Sequence, residues 1–300
     1  MSAPLVISVI LNTNRREDTL ACLASLAANT YQPQMALVLD NASTDGSVEA
    51  IRAAYPQTQV LALTENRGYA GNNNVGIAWA MEHGADWVLV LNEDTILAPD
   101  CLAALVAAGS ADPRAGMLGP LVYYYDQPQV IQSAGGMLGP RWLSIHRGQH
   151  EVDRGQYAAV QPVEWLSGCA LAVRRQVIEQ VGMIDERFFI YWEEVDWCTQ
   201  ARRAGWSLLY VPAAKIWHKG VQSDYRPSPG ITYYMTRNWF LFMSKNQAPL
   251  STRLYAAGTT LRTLSSWTLK PKWRNMRAHR DAMLHGLWDF ARRRWGMRPQ

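Results

Sequence analysis

The sequence lacks long apolar runs, closely spaced cysteines and a glycine-rich nucleotide fingerprint, and each absence excludes a class of protein. No run approaches the roughly 20 apolar residues of a membrane-spanning helix, so no spanning segment is predicted. The four cysteines form no CxxC pair and no zinc-site spacing, which favours reduced, buried thiols in a cytoplasmic protein. The start of the chain has no basic segment and continues directly into a strand pattern, so no signal peptide is expected.

Acidic residues are scarce at the end of the chain. Residues 251–300 contain 11 Lys and Arg but two acidic residues, a charge of +9, whereas residues 1–250 carry −5. Tryptophans lie near these basic residues, at positions 239, 267, 273, 288 and 295. Tryptophan beside Lys and Arg suits a membrane interface better than a nucleic-acid groove, so peripheral membrane contact is predicted and no nucleic-acid partner is expected. A merely solvated basic surface also explains the charge.

Apolar strands alternate with helical patterns along the first half of the chain, which predicts the α/β class. The strands are predicted at 5–11, 35–39, 60–63 and 87–91, with helices between them, the last from 73 to 83. Short connections favour a mostly parallel sheet with helices on both faces. Further on, helices are predicted at 100–108, at 174–181 and up to 204, strands at 116–125, 163–173 and 206–211, and an irregular Gly-rich stretch at 127–160.

Polar side chains follow each of the four predicted strands. The polar loops are Asn12–Arg15, Asp40–Asp45, Asn66–Tyr69 and Asn92–Asp94. Since ligands bind outside the carboxyl ends of parallel strands, these loops predict a nucleotide-sized crevice. The oxygens of Asn92–Asp94 suit a divalent cation and the diphosphate that it neutralises, although ordinary polar turns after core strands are the simpler interpretation of each loop alone.

A second acidic cluster lies at the predicted start of a helix. Glu193, Glu194 and Asp196 follow an aromatic run, and aromatic surroundings can raise a carboxylate pKa towards that of a general base. Carboxylates that offset a helix dipole are the alternative explanation. His218 alone is more often structural, but beside Asp94 it would be a second metal ligand. Gly168 indicates close approach of backbone to a ligand, or a bulge.

Six segments carry a family resemblance when they are taken in order. They are Val38–Ser43 with Asp45–Ser47, Asn66–Gly76, Leu91–Thr95, Leu166–Ala170, Ile184–Asp196 and Ile216–His218. Together they resemble the inverting glycosyltransferases of family 2, especially the rhamnosyltransferase-like members, over about residues 5–245. The resemblance implies the GT-A fold: a mostly parallel nucleotide-binding sheet flanked by helices, here with a helical, basic C-terminal extension.

The resemblance also implies roles for individual residues. Asp94 and His218 match the ligands of Mn²⁺ or Mg²⁺, Glu194 matches the catalytic base, and Glu193 is the alternative base. Asp40 matches the residue that binds the pyrimidine base. The remaining donor-binding positions are Asn12, Thr13, Arg15, Asn66, Arg67, Asn73, Asn92, Glu93 and Gly168. Two positions depart from the family pattern, because Asn92 replaces the first aspartate of the DxD motif and Glu194 replaces an aspartate.

The expected activity is metal-dependent, inverting transfer of a sugar from dTDP-rhamnose or a UDP-hexose to a hydroxyl of a glycan or lipid-linked acceptor. Residues 1–245 would form the transferase domain, with a nucleotide-sugar half at 1–125 and an acceptor half at 126–245, before a basic, Trp-rich tail at 246–300. A cytoplasmic enzyme, peripheral on the inner face of the plasma membrane, is expected. The alternatives are a non-catalytic, degenerate transferase that binds nucleotide sugars and a sugar nucleotidyltransferase. An NAD enzyme is disfavoured because the first strand is not followed by G-x-G-x-x-G.

Overall fold

Strands and helices alternate through the first half of the chain, as the hydrophobic pattern predicts. The computed structural model describes residues 3–139, 141–220 and 226–299. The elements of this half are β1 Val6–Asn12, α1 Arg16–Ala27, β2 Gln34–Asp40, α2 Ser47–Ala54, β3 Gln59–Ala62, α3 Gly68–Glu82 and β4 Trp87–Asn92. The predicted strands all occur, and helix α3 begins at Gly68 instead of Asn73.

The second half departs more from the predicted pattern. Its elements are β5 Thr95–Leu97, α4 Cys101–Ala111, β6 Ala115–Tyr124, β7 Ile131–Ser133, β8 Gly136–Leu138, β9 Ser144–His146, β10 Gln161–Pro162, β11 Ala170–Arg174, α5 Arg175–Val181, α6 Glu193–Arg203 and β12 Ser207–His218. The Gly-rich stretch predicted to be irregular contains β7, β8 and β9, and β12 continues to His218 instead of ending at Val211. These strands depend on pairing with distant neighbours, which the local pattern does not reveal.

One sheet arranges the predicted strand ends along a single edge. Strands β3, β2, β1 and β4 are neighbours in that order and run parallel, and β11, β6 and β12 follow, with β11 antiparallel to both β4 and β6. In register, Asn12 lies opposite Asp40, and Leu11 lies opposite Asn92. Strand pairing alone therefore brings the last residues of β1, β2 and β4 side by side.

Two apolar layers cover the sheet. Side chains of a strand alternate between its faces, so Ile7 and Val9 pack in one layer while Val6 and Ile10 pack in the other. The first layer includes residues of α3 and α6, and the second includes residues of α1, α2 and α4. All four cysteines are buried free thiols, as predicted. The α/β class with helices on both faces is confirmed.

Three further helices, α7 Pro229–Lys245, α8 Leu250–Leu269 and α9 Arg277–Ala291, complete the described chain. Helix α9 packs closely on α7, because Gly286 leaves room for the backbone carbonyl of Tyr233 and Asp289 accepts a 2.7 Å hydrogen bond from the Tyr233 hydroxyl. Contacts therefore cross residue 245, and the domain boundary predicted there stays a prediction. Within the described ranges, none of the helices combines the length and apolar character needed to cross a membrane.

Candidate active site

The first two strand-end loops are joined by one buried carboxylate. The amide nitrogen of Asn12 donates to Asp40 Oδ1 at 2.8 Å and to Ser43 Oγ at 3.0 Å. The other carboxylate oxygen of Asp40 accepts the backbone N–H of Ser43 at 3.1 Å. Each oxygen of Asp40 keeps a second lone-pair direction beyond these bonds. Asp40 is therefore held rigidly by the loops and can still accept a further hydrogen bond.

The first loop also brings a cation to the sheet edge. Asn12 Oδ1 accepts from the Thr19 hydroxyl at 2.8 Å, and the Arg15 side chain donates to Asp18 at 3.1 Å. That hydrogen bond, followed by the charges of Asp94 and Glu93 among the smaller causes, raises the pKa of Arg15. The predicted donor residue Arg15 thus lies within electrostatic reach of the acidic end of β4. Thr13 accepts a 3.3 Å hydrogen bond from Asn41.

The third loop leads into α3, whose first turn is anchored by residues outside the helix. Asn66 Oδ1 accepts the backbone N–H of Gly68 at 2.9 Å, and Phe189 O accepts that of Ala70 at 3.1 Å. A Cβ on Gly68 would lie 2.4 Å from the same Phe189 carbonyl. Glycine and asparagine are weak helix formers, so these contacts explain why the helix begins earlier than its sequence pattern predicts.

Two residues predicted to bind the sugar donor, Arg67 and Asn73, make contacts that hold the start of α3. Arg67 forms a 2.6 Å ion pair with Glu186, and Asn73 donates to the Tyr69 carbonyl at 2.9 Å. The Oδ1 atom of Asn73 is buried and has no hydrogen-bond partner in the described part of the chain. The structure therefore gives Arg67 a structural partner and leaves one polar atom of Asn73 available.

Asp94 and His218 meet although they lie far apart in the sequence. His218 ends β12, where it pairs with Thr95 of β5, so that its Nε2 lies 3.1 Å from Asp94 Oδ1. Both side chains are buried. Burial alone would raise the pKa of Asp94, but His218 and then the charge of Arg15 outweigh it and hold the pKa below its usual value. The carboxylate is therefore ionised at neutral pH.

The donor atoms of this pair suit a divalent cation. Asp94 Oδ1 and His218 Nε2 do not meet in hydrogen-bond geometry, and Oδ1 is buried with no hydrogen-bond partner within the described ranges. Their separation resembles the roughly 3.0 Å between adjacent ligand atoms of an octahedral cation with bonds of about 2.1 Å. No cluster of three or more His, Cys, Asp or Glu suited to a metal occurs among the described residues. Diphosphate oxygens and water would complete the coordination.

Neighbouring polar groups set the tautomer of His218. Its Nδ1 lies 3.0 Å from Gln132 Oε1, and its Nε2 lies 3.3 Å from the Asn92 amide nitrogen. Because a carbonyl oxygen only accepts and an amide nitrogen only donates, these partners place the proton of the neutral ring on Nδ1 and its lone pair on Nε2, whereas a protonated ring pairs with Asp94 through Nε2. The neutral ring is the form that ligates metals. Sequence patterns did not identify Gln132, because it lies on the unpredicted strand β7.

Gly220 was also missed, although it borders the Asp94–His218 pair. A Cβ at Gly220 would lie 2.2 Å from Asp94 Oδ2 and 3.4 Å from His218 Nε2. Any side chain here would therefore displace the carboxylate. The only available signal was a glycine two residues after the histidine, which is weak by itself.

At the end of β4, Glu93 is half-buried, and burial followed by the charge of Asp94 raises its pKa to about 7.

The second acidic cluster divides into a pair and a separate residue. Glu193 and Glu194 begin α6, and each has a buried Oε2 with no hydrogen-bond partner among the described residues. Asp196 instead pairs with Lys245 and accepts from Asn246. Only Glu193 and Glu194 are therefore available as bases.

Burial acts unequally on the two glutamates. It raises the pKa of Glu194 to about 6. Burial, followed by the charge of Glu194, raises the pKa of Glu193 well above its usual value. The two carboxyls disfavour each other's ionisation, so the pair binds protons more tightly than two exposed glutamates would.

The loop that directly precedes the two glutamates has a strained backbone. Phe189, Tyr191 and Trp192 have φ angles of +66°, +69° and +74°. A non-glycine residue in such a conformation costs about 1–3 kcal/mol and persists only where its surroundings hold it. The strain therefore requires support from elsewhere in the chain.

Helix α7 supplies that support through Arg237 and Asn238, both fully buried. The Asn238 amide nitrogen contacts the carbonyls of Phe188, Ile190 and Tyr191 at 2.8, 2.8 and 2.9 Å. Arg237 donates to the Phe188 carbonyl at 3.0 Å. Sequence reasoning missed both residues. An Arg-Asn pair within an otherwise aromatic and apolar helix was the signal that could have identified them.

Tyr69 and Gly168 connect the two halves of the site. The Tyr69 hydroxyl donates to the Gly168 carbonyl at 2.6 Å, and a Cβ on Gly168 would lie 3.6 Å from Glu194 Cβ. The close backbone approach predicted at Gly168 is therefore towards Tyr69. Burial, and then the charges of Glu193 and Glu194, raises the pKa of Tyr69 well above its usual value, with a smaller effect of Glu93. The pKa of Tyr69 is thus raised by charges from both acidic clusters.

The mostly parallel sheet, with its polar edge near a pair of glutamates, matches the fold of sugar-transferring enzymes of the GT-A type. The chain belongs to glycosyltransferase family 2, since the model described as "Glycosyl transferase family 2" matches residues 8–182. It is 38% identical over 229 residues, covering 68% of this chain and 72% of the relative, to the N-acetylglucosaminyl-diphospho-decaprenol L-rhamnosyltransferase of Mycobacterium tuberculosis (strain ATCC 25618 / H37Rv). It is 27% identical over 262 residues to the dTDP-rhamnosyl transferase RfbF of Shigella flexneri, covering 84% and 85%.

Solved structures confirm the predicted GT-A fold. The crystal structure of GalNAc-T7 with UDP, GalNAc and Mn²⁺ has a TM-score of 0.70 and 15% identity, covering 97% of this chain and 58% of that longer chain. The mannosyltransferase PcManGT of Pyrobaculum calidifontis, in complex with GDP-Man and Mn²⁺, has a TM-score of 0.59 and 16% identity, covering 97% and 88%. At such identities the likeness concerns the fold alone.

Proposed function

We propose that this glycosyltransferase moves an L-rhamnosyl group from dTDP-rhamnose to a hydroxyl of a lipid-linked, N-acetylglucosamine-bearing acceptor, inverting the anomeric configuration. Two relatives named as rhamnosyltransferases support the sugar, and the name of one supports the acceptor. The observation that carries the proposal is the position of Glu194, which is half-buried beside Gly168, whose carbonyl accepts from Tyr69 of the third strand-end loop.

Glu194 is proposed as the general base. It would accept the proton of the acceptor hydroxyl while that oxygen attacks the anomeric carbon from the face opposite the nucleotide. Glu193, which keeps its own proton, cannot accept another. A positioned base contributes typically about 10²–10⁴-fold in rate.

Asp94 and His218 are proposed to hold Mn²⁺ or Mg²⁺. The cation, when bound, neutralises the negative charge of the diphosphate leaving group. The amide nitrogen of Asn92 lies 3.3 Å from His218 Nε2 and can donate to its lone pair. An aspartate at this position would instead face that lone pair with a carboxylate oxygen and repel it. Arg15 would add a positive charge near the same diphosphate.

Asp40 is proposed to select the pyrimidine base. Its remaining lone pairs can accept the imide N–H that uracil and thymine carry. Cytosine has no such donor at that position, and the purines place other groups there. Asn12, Thr13, Asn66, Arg67, Asn73, Glu93 and Gly168 stay predictions as donor-contacting residues.

A donor panel tests this function with the purified full-length protein. Thermal unfolding is measured with dTDP, UDP, GDP and CDP, with and without Mn²⁺, and transfer is then measured from dTDP-rhamnose or UDP-glucose to a GlcNAc-diphospho-lipid. We expect stronger protection by dTDP and UDP, transfer from dTDP-rhamnose and an inverted product by NMR. Equal protection by GDP, or the absence of transfer from every donor, would contradict the proposal.

A further inference from the structure

We infer that a groove between α7 and α8 binds the apolar lipid chain of the acceptor. This inference rests on the proposed function, because it assigns a subsite for the lipid of that same acceptor. The groove encloses about 400 Å³, which is within the roughly 300–1,000 Å³ range of small-ligand sites. Its two walls present Ile231, Met235 and Trp239 from α7 and Tyr255, Thr259 and Thr263 from α8.

Three threonines of the groove direct their hydroxyls into their own helices. The hydroxyl of Thr259 donates to the Tyr255 carbonyl at 2.9 Å, and that of Thr263 donates to the Thr259 carbonyl at 3.0 Å. On the opposite wall, the Thr236 hydroxyl donates to Thr232 O at 2.8 Å. Because these hydroxyls are bonded within their own helices, hydrocarbon surface is left for a ligand. A hydrocarbon chain is the ligand that such a lining recognises.

The groove reaches the chain segment that carries the proposed catalytic base. Trp192, which lines it, directly precedes Glu193 and Glu194. Trp192 is buried, and its Nε1 has no hydrogen-bond partner in the described part of the chain. A ligand in the groove would therefore lie against the residue that leads into α6. This arrangement suits an acceptor whose sugar reaches Glu194 while its lipid chain lies in the groove.

A cation stands at the rim, where the phosphates of such an acceptor would lie. The Arg141 guanidinium stacks 3.7 Å above the ring of Tyr255, which lines the groove. Arg141 forms no ion pair with any carboxylate among the described residues. An unpaired guanidinium beside an apolar groove complements a phosphate joined to a hydrocarbon chain.

Calorimetry with isoprenoid diphosphates tests the groove without requiring turnover. The donor site of the full-length protein is first saturated with dTDP and Mn²⁺, and farnesyl diphosphate is then compared with isopentenyl diphosphate, which has the same head and a shorter chain. We expect farnesyl diphosphate to bind at least about tenfold more tightly, since affinity grows with the apolar area buried. Equal binding of the two probes would overturn the inference.

Variants localise the effect. Met235→Glu, at a partly exposed position in the groove, should remove the preference for the longer chain, whereas Met235→Leu should keep it. Thr259→Glu, on the opposite wall, should act like Met235→Glu. Met183→Glu, at a partly exposed position outside the groove, is the matched control and should bind like the wild type. A chain-length preference that survives both groove variants, with folding verified by thermal unfolding, would overturn the inference.

Transfer kinetics separate this inference from the proposed function. Met235→Glu should raise KM at least about tenfold for farnesyl-diphospho-GlcNAc while leaving KM unchanged for a water-soluble GlcNAc-diphosphate ester with a short chain. If the wild type transfers to both acceptors with equal KM, the lipid groove is wrong and the function stands. If it transfers to neither acceptor, the proposed function is wrong, and the calorimetry still decides the groove.

Discussion

At the residue scale, the proposed chemistry depends on which of two adjacent glutamates is ionised. Glu194→Gln should lower kcat by about 10²–10⁴-fold, because it removes the proton acceptor at nearly constant volume. Glu193→Gln should change kcat by no more than a few-fold, because the proposed mechanism leaves the proton on Glu193. Steady-state kinetics on both variants, with donor affinity measured separately, check this. The opposite pattern would assign the base to Glu193.

The same pair predicts a pH dependence. A base must be deprotonated, so activity should be full above the pKa of Glu194, which burial raises to about 6, and should fall about tenfold per pH unit below it. A pH–rate profile of the wild type measures this acidic limb. A limb near pH 4, where an exposed glutamate titrates, would contradict the assigned environment of Glu194.

Gly220 predicts a second residue-scale effect. Gly220→Ala places a Cβ 2.2 Å from Asp94 Oδ2, so the carboxylate must move. We expect the apparent affinity for Mn²⁺ to fall by about 10- to 100-fold, as when support for a metal ligand is lost. The measurement is donor-dependent protection against heat across a Mn²⁺ titration.

The matched control for that change is Gly258→Ala in α8. A Cβ at Gly258 meets no atom within 4 Å in the described chain, and alanine is favoured over glycine inside a helix. Gly258→Ala should therefore keep wild-type Mn²⁺ affinity. Identical Mn²⁺ titrations for the two variants would show that Asp94 does not require Gly220.

At the element scale, helix α7 holds the strained loop that precedes α6. Asn238→Ala removes the amide that donates to the carbonyls of Ile190 and Tyr191 and, together with Arg237, to that of Phe188, which should lower stability by about 1–3 kcal/mol. Because the loop positions Glu194, kcat should fall while donor affinity stays within a few-fold. Thermal unfolding, kinetics and calorimetry measure the three effects.

Asn275→Ala, at an exposed position, is the matched control and should leave all three quantities unchanged. A loss of stability in Asn238→Ala with wild-type kcat would mean that the loop keeps its shape without the clamp. A parallel loss of donor affinity would mean that Asn238 supports the whole fold instead of the base.

At the scale of the whole molecule, the described structure changes the predicted membrane-facing surface. Part of the apolar surface of α9 is internal, because Phe290 packs against Phe240 and Met283 lines the groove. Helix α8 exposes Leu250, Leu254, Leu261 and Leu269 at 63–77%. No acidic residue occurs from 246 to 280. The outer face of α8 therefore suits an anionic membrane better.

We expect the full-length protein to sediment with vesicles containing phosphatidylglycerol at low salt, since each Lys or Arg near an anionic surface contributes about 1 kcal/mol. Leu254→Glu combined with Leu261→Glu should reduce the partition by at least about tenfold, because it replaces inserted apolar surface by like charge. Val152→Glu with Val160→Glu, at comparably exposed positions elsewhere, is the control. A wild-type protein that remains in the supernatant would refute membrane contact.

The end of the chain also contributes to the site. The Gly296 carbonyl accepts from Arg237 at 2.7 Å, and Arg237 in turn holds the Phe188 carbonyl. The C-terminal segment is thus joined to the loop that carries Glu194. Its predicted separation from the transferase domain at 245 therefore stays an untested boundary.

By itself the sequence determined the strands of the first half of the chain and the polar residues at their ends. Apolar runs and 3.6-residue periodicity are local properties, so the strands β1 to β4 and the polar residues at their ends followed from the order of side chains alone. The acidic ends at Asp94 and Glu194 were identified in the same way, from residues that lie next to one another in the chain.

Only the tertiary structure decided how these parts meet. The contact of Asp94 with His218 depends on the pairing of β5 with β12, and the space for it depends on Gly220. The charge on Glu194 depends on desolvation by neighbours from other segments, which no local pattern encodes. Distances and dielectric surroundings are properties of packing, so the raised pKa values of two adjacent glutamates followed only from the folded chain.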